Sequence, residues 1–225
     1  MISRLPHYCA FGLALLLAGC ANASDAREWQ TSSVGVEASG CGLIPAVGSG
    51  AVVVEAGLVV TTAHIVAGSR QIEVIDHEGV AYEAVLWWLD PDSDVALLSV
   101  PGLTAAPLEL GSVGEGDEGS FVAWDRRSGF RTSSATVIRE LSVTIEDIYI
   151  DRQVSRRAIE FRGEVEPGDS GAAVVHDGNV VGMIYAKARD VDNLGYALAH
   201  QELADALTGL GSENRSPIES GRCTP

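Results

Sequence analysis

From residue 48 onward, short apolar runs recur at close intervals, broken by glycine, proline, aspartate and asparagine. Gly48–Glu55 and Leu58–Thr62 predict a hairpin with Ala56-Gly57 at its turn. Gln71–Asp76 alternates, with Ile72 and Val74 on one side, and predicts the next strand; Val80–Leu89 and Val95–Val100 follow. Pro101-Gly102 closes this first half, and residues 101–117 read as a connection. The second half repeats the style over Ser120–Trp124, Thr132–Arg139, Ser142–Ile150, Ala158–Arg162, Gly171–His176, Val180–Ala186 and Gly195–Leu198, with Asp177-Gly178 as a two-residue turn. Only His200–Leu210 has helical spacing, which predicts a face of Leu203, Ala204, Leu207 and Leu210. Many short strands and one terminal helix predict an all-β fold of two packed antiparallel barrels with a C-terminal α-helix.

The first 20 residues do not belong to that pattern. Arg4 gives a basic start, Phe11 to Ala18 is apolar, and Leu17-Ala18-Gly19-Cys20 closes the segment. A run this short reads as an export signal rather than a membrane span. Its last four residues are similar to the lipobox of bacterial lipoproteins, so Cys20 is expected to carry lipid; an ordinary cleaved signal is the alternative. Either way the body is exported. Residues 21–35 read as a flexible tether, 36–212 as the folded domain and 213–225 as a tail. Without residues 1–20 the chain holds 14 basic and 31 acidic side chains, a net charge of −17, which argues against a nucleic-acid partner. Membrane contact is expected only through the lipid. Cys41 and Cys223 are then the only thiols of the body, and an oxidising exterior predicts that they pair; two unpaired cysteines are the alternative.

The chemistry concentrates in Gly168-Asp169-Ser170-Gly171, ahead of the apolar run Ala172-Ala173-Val174-Val175. A glycine-flanked turn entering a strand exposes a hydroxyl and gathers backbone N–H groups, the parts of a nucleophile and an oxyanion site. A serine needs a base and an orienting acid. Thr61-Thr62-Ala63-His64 and Asp94-Val95-Ala96-Leu97 supply both upstream, in the order His, Asp, Ser. These three motifs together resemble the trypsin-like (chymotrypsin-fold) serine proteases, and the short gaps resemble their HtrA-type branch. The resemblance implies two six-stranded barrels with the site between them, His64 as general base, Asp94 as its orienting acid and Ser170 as nucleophile. It implies an oxyanion hole from the N–H groups of Gly168 and Ser170. Asp90 and Asp92 read as loop acids. Glu164, six residues before Ser170, falls where that family floors its primary specificity pocket, with Glu166 and plain solvent exposure as alternatives. Asp169 matches an acid that digestive relatives pair with a freed N-terminus; here it either braces the turn or awaits a second cleavage. Tyr185-Ala186-Lys187 follows the cleft-lining strand of the family and is a candidate to pair with substrate backbone.

A tighter resemblance, to the Marp-type acid-resistance proteases of mycobacteria and their actinobacterial relatives, rests on further residues. They are Ser39-Gly40-Cys41 before Gly48-Ser49-Gly50, Asp147-Ile148-Tyr149 before Phe161-Arg162-Gly163, Gly195-Tyr196-Ala197-Leu198, and Gly221-Arg222-Cys223. It spans about residues 36–225 and implies a disulfide between Cys41 and Cys223. The relatives carry several N-terminal membrane helices where this chain is expected to use its lipid, and Ala172-Ala173 stands where the family often has Gly-Pro. The expectation is a serine endopeptidase acting on proteins or peptides, with no cofactor and no metal, since His7, His77, His176 and His200 show no ligand spacing. The rival is a protease-like lipoprotein that binds peptides or envelope proteins without turning them over.

Overall fold

The computed structural model describes residues 29–212 and 215–225. The expected export signal, Cys20 and most of the expected tether lie outside the described residues. The chain enters through a 3-10 turn, Trp29–Ser32, and runs directly into β1, Ser33–Ser39. Five strands follow: β2 (Ala46–Val52), β3 (Leu58–Thr62), β4 (Gln71–Ile75), β5 (Ala81–Asp90) and β6 (Val95–Ser99), with a one-turn helix α1 (Ala63–Val66) after β3. The second half contains β7 (Glu118–Asp125), β8 (Gly129–Glu146), β9 (Gln153–Arg162), β10 (Ala173–His176), β11 (Asn179–Lys187) and β12 (Leu194–Ala199), then α2 (His200–Leu210). The order β1-β2-β3-β6-β5-β4 closes one barrel and β10-β11-β12-β9-β8-β7 closes the other, with every pairing antiparallel. Closure leaves neither sheet with a free edge.

Three expectations are corrected. The tether does not reach residue 35, because β1 starts at Ser33 and pairs with both β2 and β4, Val36 lying opposite Gly48 on one side and Val74 on the other. The strands expected at Thr132–Arg139 and Ser142–Ile150 are one continuous strand, β8, whose register shifts once against β9 between Val137 and Arg139. The bulge absorbs the bend that a turn would otherwise have made. On α2 the buried apolar residues are Leu203, Ala206 and Leu210, so the inward face passes through Ala206 rather than Ala204.

The strand period of two explains the core. In β3 and β6, Val59 and Leu98 point into the first barrel, while Val60 and Leu97 point out of it, against the second barrel and α2. Both faces of these strands are covered, which is why they read as unbroken apolar runs. Val175, Met183, Leu198, Leu203 and Leu210 meet them from the other side. The second barrel fills with Phe121, Ile159, Phe161, Val174 and Ile184, and the two phenylalanine rings meet edge to face, 6.2 Å apart.

Cys41 and Cys223 are bonded across 182 residues of sequence. Loop-entropy models credit a link of this span with roughly 4–5 kcal/mol. The tail it holds lies against the segment that follows α1. Gly68 N–H donates to the Ser220 carbonyl (2.8 Å), and the Ser220 hydroxyl donates to the Ser69 carbonyl (2.6 Å).

Candidate active site

Pairing of β3 with β6 brings the first two groups together. Thr62 lies opposite Val95, so the residues just beyond, Ala63-His64 on α1 and Asp94 before β6, meet at the same end of the barrel. The Ala63 N–H donates to the Asp94 carbonyl (3.0 Å) and the His64 N–H to Asp94 Oδ1 (2.9 Å). Asp94 Oδ2 lies 2.8 Å from His64 Nδ1. One carboxylate thus holds both the backbone and the ring of His64, with Nδ1–H as donor and Nε2 left as the basic nitrogen. Asp94 is buried and takes φ +63°, a left-handed conformation that aspartate tolerates better than most residues. Burial disfavours the His64 imidazolium, but the charge and hydrogen bond of Asp94 outweigh it. The His64 pKa therefore stands above 6.5, with Arg156 pulling it part of the way back.

Ser170 comes from the loop between β9 and β10, and Ser49 of β2 docks that loop onto the first barrel. The Ser49 N–H donates to the Ser170 carbonyl (2.8 Å). Its hydroxyl donates to the Gly168 carbonyl (3.0 Å) and accepts from the Trp124 N–H (2.9 Å). The Ser49 carbonyl accepts the Thr61 hydroxyl (2.7 Å), three residues before His64. Behind this chain of bonds sits Gly171 at φ +90°, where a Cβ would overlap the Ser49 carbonyl. A Cβ on the neighbouring Gly48 would lie 2.9 Å from both the Ser170 carbonyl oxygen and Ile65 Cγ1, so the backbone of Ser170 and the residue after His64 face one another across it. No hydrogen bond joins His64 Nε2 to the Ser170 hydroxyl among the described residues. Such contacts commonly tighten only when substrate is bound.

The turn itself is shaped from below. The Asp169 N–H turns inward to the Glu166 carbonyl (3.1 Å), whereas neither the Gly168 nor the Ser170 N–H has an acceptor among the described residues. Two unengaged donors flanking a hydroxyl are the parts an oxyanion site requires. Gly168 reaches this shape at φ +102°. Asp169 is buried, and both its oxygens accept from Arg131 Nη2 on β8, at 2.9 and 2.7 Å. Oδ2 also accepts the Glu166 N–H at 2.8 Å. Burial raises the Asp169 pKa, and the Glu166 N–H and the Arg131 charge restrain the rise. Arg131→Met strands that carboxylate. It is expected to cost roughly 3–5 kcal/mol in urea unfolding, and kcat is expected to fall about a hundredfold as the turn loosens. Full kcat in this variant would show that the Glu166 N–H suffices.

Glu164 is exposed and borders a groove of about 710 Å³ that is also lined by Glu166, Lys187, Arg189 and Asn193. Asp90 caps its own turn, accepting from the Asp92 N–H (3.0 Å) and the Ser93 hydroxyl (2.6 Å), and takes no part in holding His64. Among the described residues no group of three or more His, Cys, Asp or Glu side chains is placed to hold a metal. Three residues at the site gave no local sign in the sequence. Ser49 enters the sequence reading only as part of the strand Gly48–Glu55 and of the Gly48-Ser49-Gly50 motif, and Arg131 and Arg156 lie outside the predicted strands. Each acts on a partner many residues away.

A trypsin-like peptidase domain model matches residues 48–183. Serine protease Rv3671c of Mycobacterium tuberculosis is 31% identical over 169 residues, 73% of this chain and 42% of the relative. The mitochondrial serine protease HTRA2 of Bos taurus is 30% identical over 165 residues, 71% of this chain and 35% of the relative. This chain therefore spans about two fifths or less of the length of these relatives. The crystal structure of the active form of the Rv3671c protease overlays with a TM-score of 0.83 at 28% identity, covering 89% of each chain. An inactive form of the same protease overlays at 0.73, with 84% of this chain and 93% of that one covered.

Proposed function

This chain belongs to the trypsin-like peptidases, and on that premise we propose that it is an exported serine endopeptidase. His64 Nε2 takes the proton of the Ser170 hydroxyl as Ser170 Oγ bonds to the substrate carbonyl carbon. The oxyanion that forms is held by the Gly168 and Ser170 N–H groups. His64 returns the proton to the leaving amine, which leaves an acyl-enzyme. A water, deprotonated by the same nitrogen, then releases the acid. Asp94 keeps the imidazole in the required tautomer and stabilises the imidazolium. The observation that carries this reading is the grip of Asp94 on the backbone N–H and the Nδ1 of His64, which leaves Nε2 free to act as the base. Two further features support it: the higher overlay score with the active than with the inactive Rv3671c form, and the two unengaged N–H groups beside Ser170.

In this reading Arg131 supplies the cation that Asp169 needs, so the turn requires no freed N-terminal amine. Export agrees with the bonded Cys41 and Cys223, since such bonds persist outside the reducing cytosol. Lipid at Cys20 anchors the body. No helix of the described residues is long and apolar enough to cross a membrane. A fluorophosphonate probe tests the reading directly, with Ser170 as the expected site of labelling; a chain that binds peptides but is never labelled would be the non-catalytic lipoprotein instead.

For specificity we propose that Glu164, on the rim of the groove beside the nucleophile loop, favours Arg or Lys before the cut bond through charge-assisted hydrogen bonds. Cleavage of a peptide library is expected to show that enrichment. A preference for apolar residues alone would leave Glu164 a solvent-facing charge.

A further inference from the structure

Arg156 is an arginine with almost no access to water: its side chain is 3% exposed. It belongs to β9 of the second barrel, yet all the hydrogen bonds of its side chain go to the turn of the first barrel that presents Asp94. Its Nε donates to the Asp92 carbonyl (2.6 Å) and Nη2 to the Pro91 carbonyl (3.3 Å). Its third nitrogen, Nη1, lies 3.9 Å from Asp94 Oδ2, the oxygen that holds the His64 ring. The guanidinium carbon is 5.9 Å from the centre of the Tyr185 ring on β11. A buried guanidinium is expensive unless it is paired and hydrogen-bonded. Two carbonyl oxygens and the field of one carboxylate are what it has here.

The other charges around it are committed elsewhere. Asp92 faces Arg152 in an ion pair, and Asp90 accepts from its own turn. Burial pushes the Tyr185 hydroxyl up to about 12, so it stays neutral. Asp94 therefore sits between two cationic partners, His64 when protonated and Arg156 always.

We infer that Arg156 is a positioning residue for the reaction: it fixes the Pro91–Asp94 turn from the opposite barrel and sets a permanent positive charge behind the Asp94 carboxylate, holding the working range of His64 toward lower pH. The direction follows from Coulomb's law. A fixed cation close to Asp94 offsets part of the field that the carboxylate exerts on the imidazolium. The ring then gives up its proton earlier than it would beside an isolated carboxylate. Fixing the turn and tuning the base are thus two effects of one side chain.

The inference rests on His64 acting as the base, so the experiment reads the imidazole itself by NMR, whether or not any peptide is cut. In Arg156→Met the His64 titration is expected to move upward by about one pH unit. Arg156→Lys retains the charge but loses the forked carbonyl contacts, and its titration is expected to stay near that of the native protein. The acid limb of kcat/KM should move by the same amount in Arg156→Met, whereas a merely structural role would lower the rate at every pH and leave the limb in place. An unmoved His64 titration in Arg156→Met, or an equal upward shift in both variants, overturns the inference. Should Arg156→Met fail to fold, Arg156→Gln carries the test: it removes the charge but keeps an amide that can donate to a carbonyl of the turn, so the same upward shift of the His64 titration is expected, and an unmoved titration overturns the inference.

Discussion

Ser170→Ala is expected to abolish peptide hydrolysis, a fall on the order of 10⁶ in kcat, with no measurable loss of stability. Both halves of the expectation come from the geometry. The backbone of Ser170 is engaged, with its carbonyl accepting from Ser49, but its hydroxyl makes no hydrogen bond within the protein among the described residues. Removing that oxygen strands no partner, so thermal unfolding should stay within about 1–2 °C of the native protein. Casein or peptide assays measure the first half and calorimetry the second. Continued cleavage by the alanine variant would remove Ser170 from the mechanism.

Asp94→Asn is the second large effect, about 10⁴ in kcat at neutral pH. Asparagine fits the left-handed backbone at this position, and its carbonyl oxygen can still accept the His64 N–H. Its amide nitrogen then faces Nδ1 and, being a donor, favours the tautomer with the proton on Nε2. In that form the nitrogen nearest the substrate is no longer a base. The loss should ease as pH rises, because hydroxide can do part of what the imidazole no longer does. Single-turnover rates across pH would show this, and an undiminished rate at neutral pH would mean that a different group orients His64.

The three motifs that carry the proposed chemistry were legible because each is local. A glycine-bracketed serine, a histidine after an apolar strand and an aspartate before another can be seen without knowing what they face. The barrels were legible for a similar reason, since β3 and β6 are covered on both sides and read as continuous apolar runs. β1 was hidden because Ser33–Ser39 offers two valines among small and polar residues. Its burial comes from its two neighbouring strands and from the Trp124 ring lying against Gly35. The groups that hold the site together were the hardest to see. Ser49 reaches Gly168 across 119 residues of sequence, Arg131 reaches Asp169 across 38, and Arg156 reaches Asp92 across 64. No periodicity encodes such pairings. They exist only once two barrels have closed and met.

The bond between Cys41 and Cys223 also orders events in time. A ribosome delivers residue 41 long before residue 223, and eleven of the twelve strands, β2 to β12, lie between them. The thiol beside the histidine turn must therefore wait, reduced or borrowed by another partner, until the rest of the molecule has been made and wrapped. The clasp closes last, and a molecule that carries it has been translated through its second barrel.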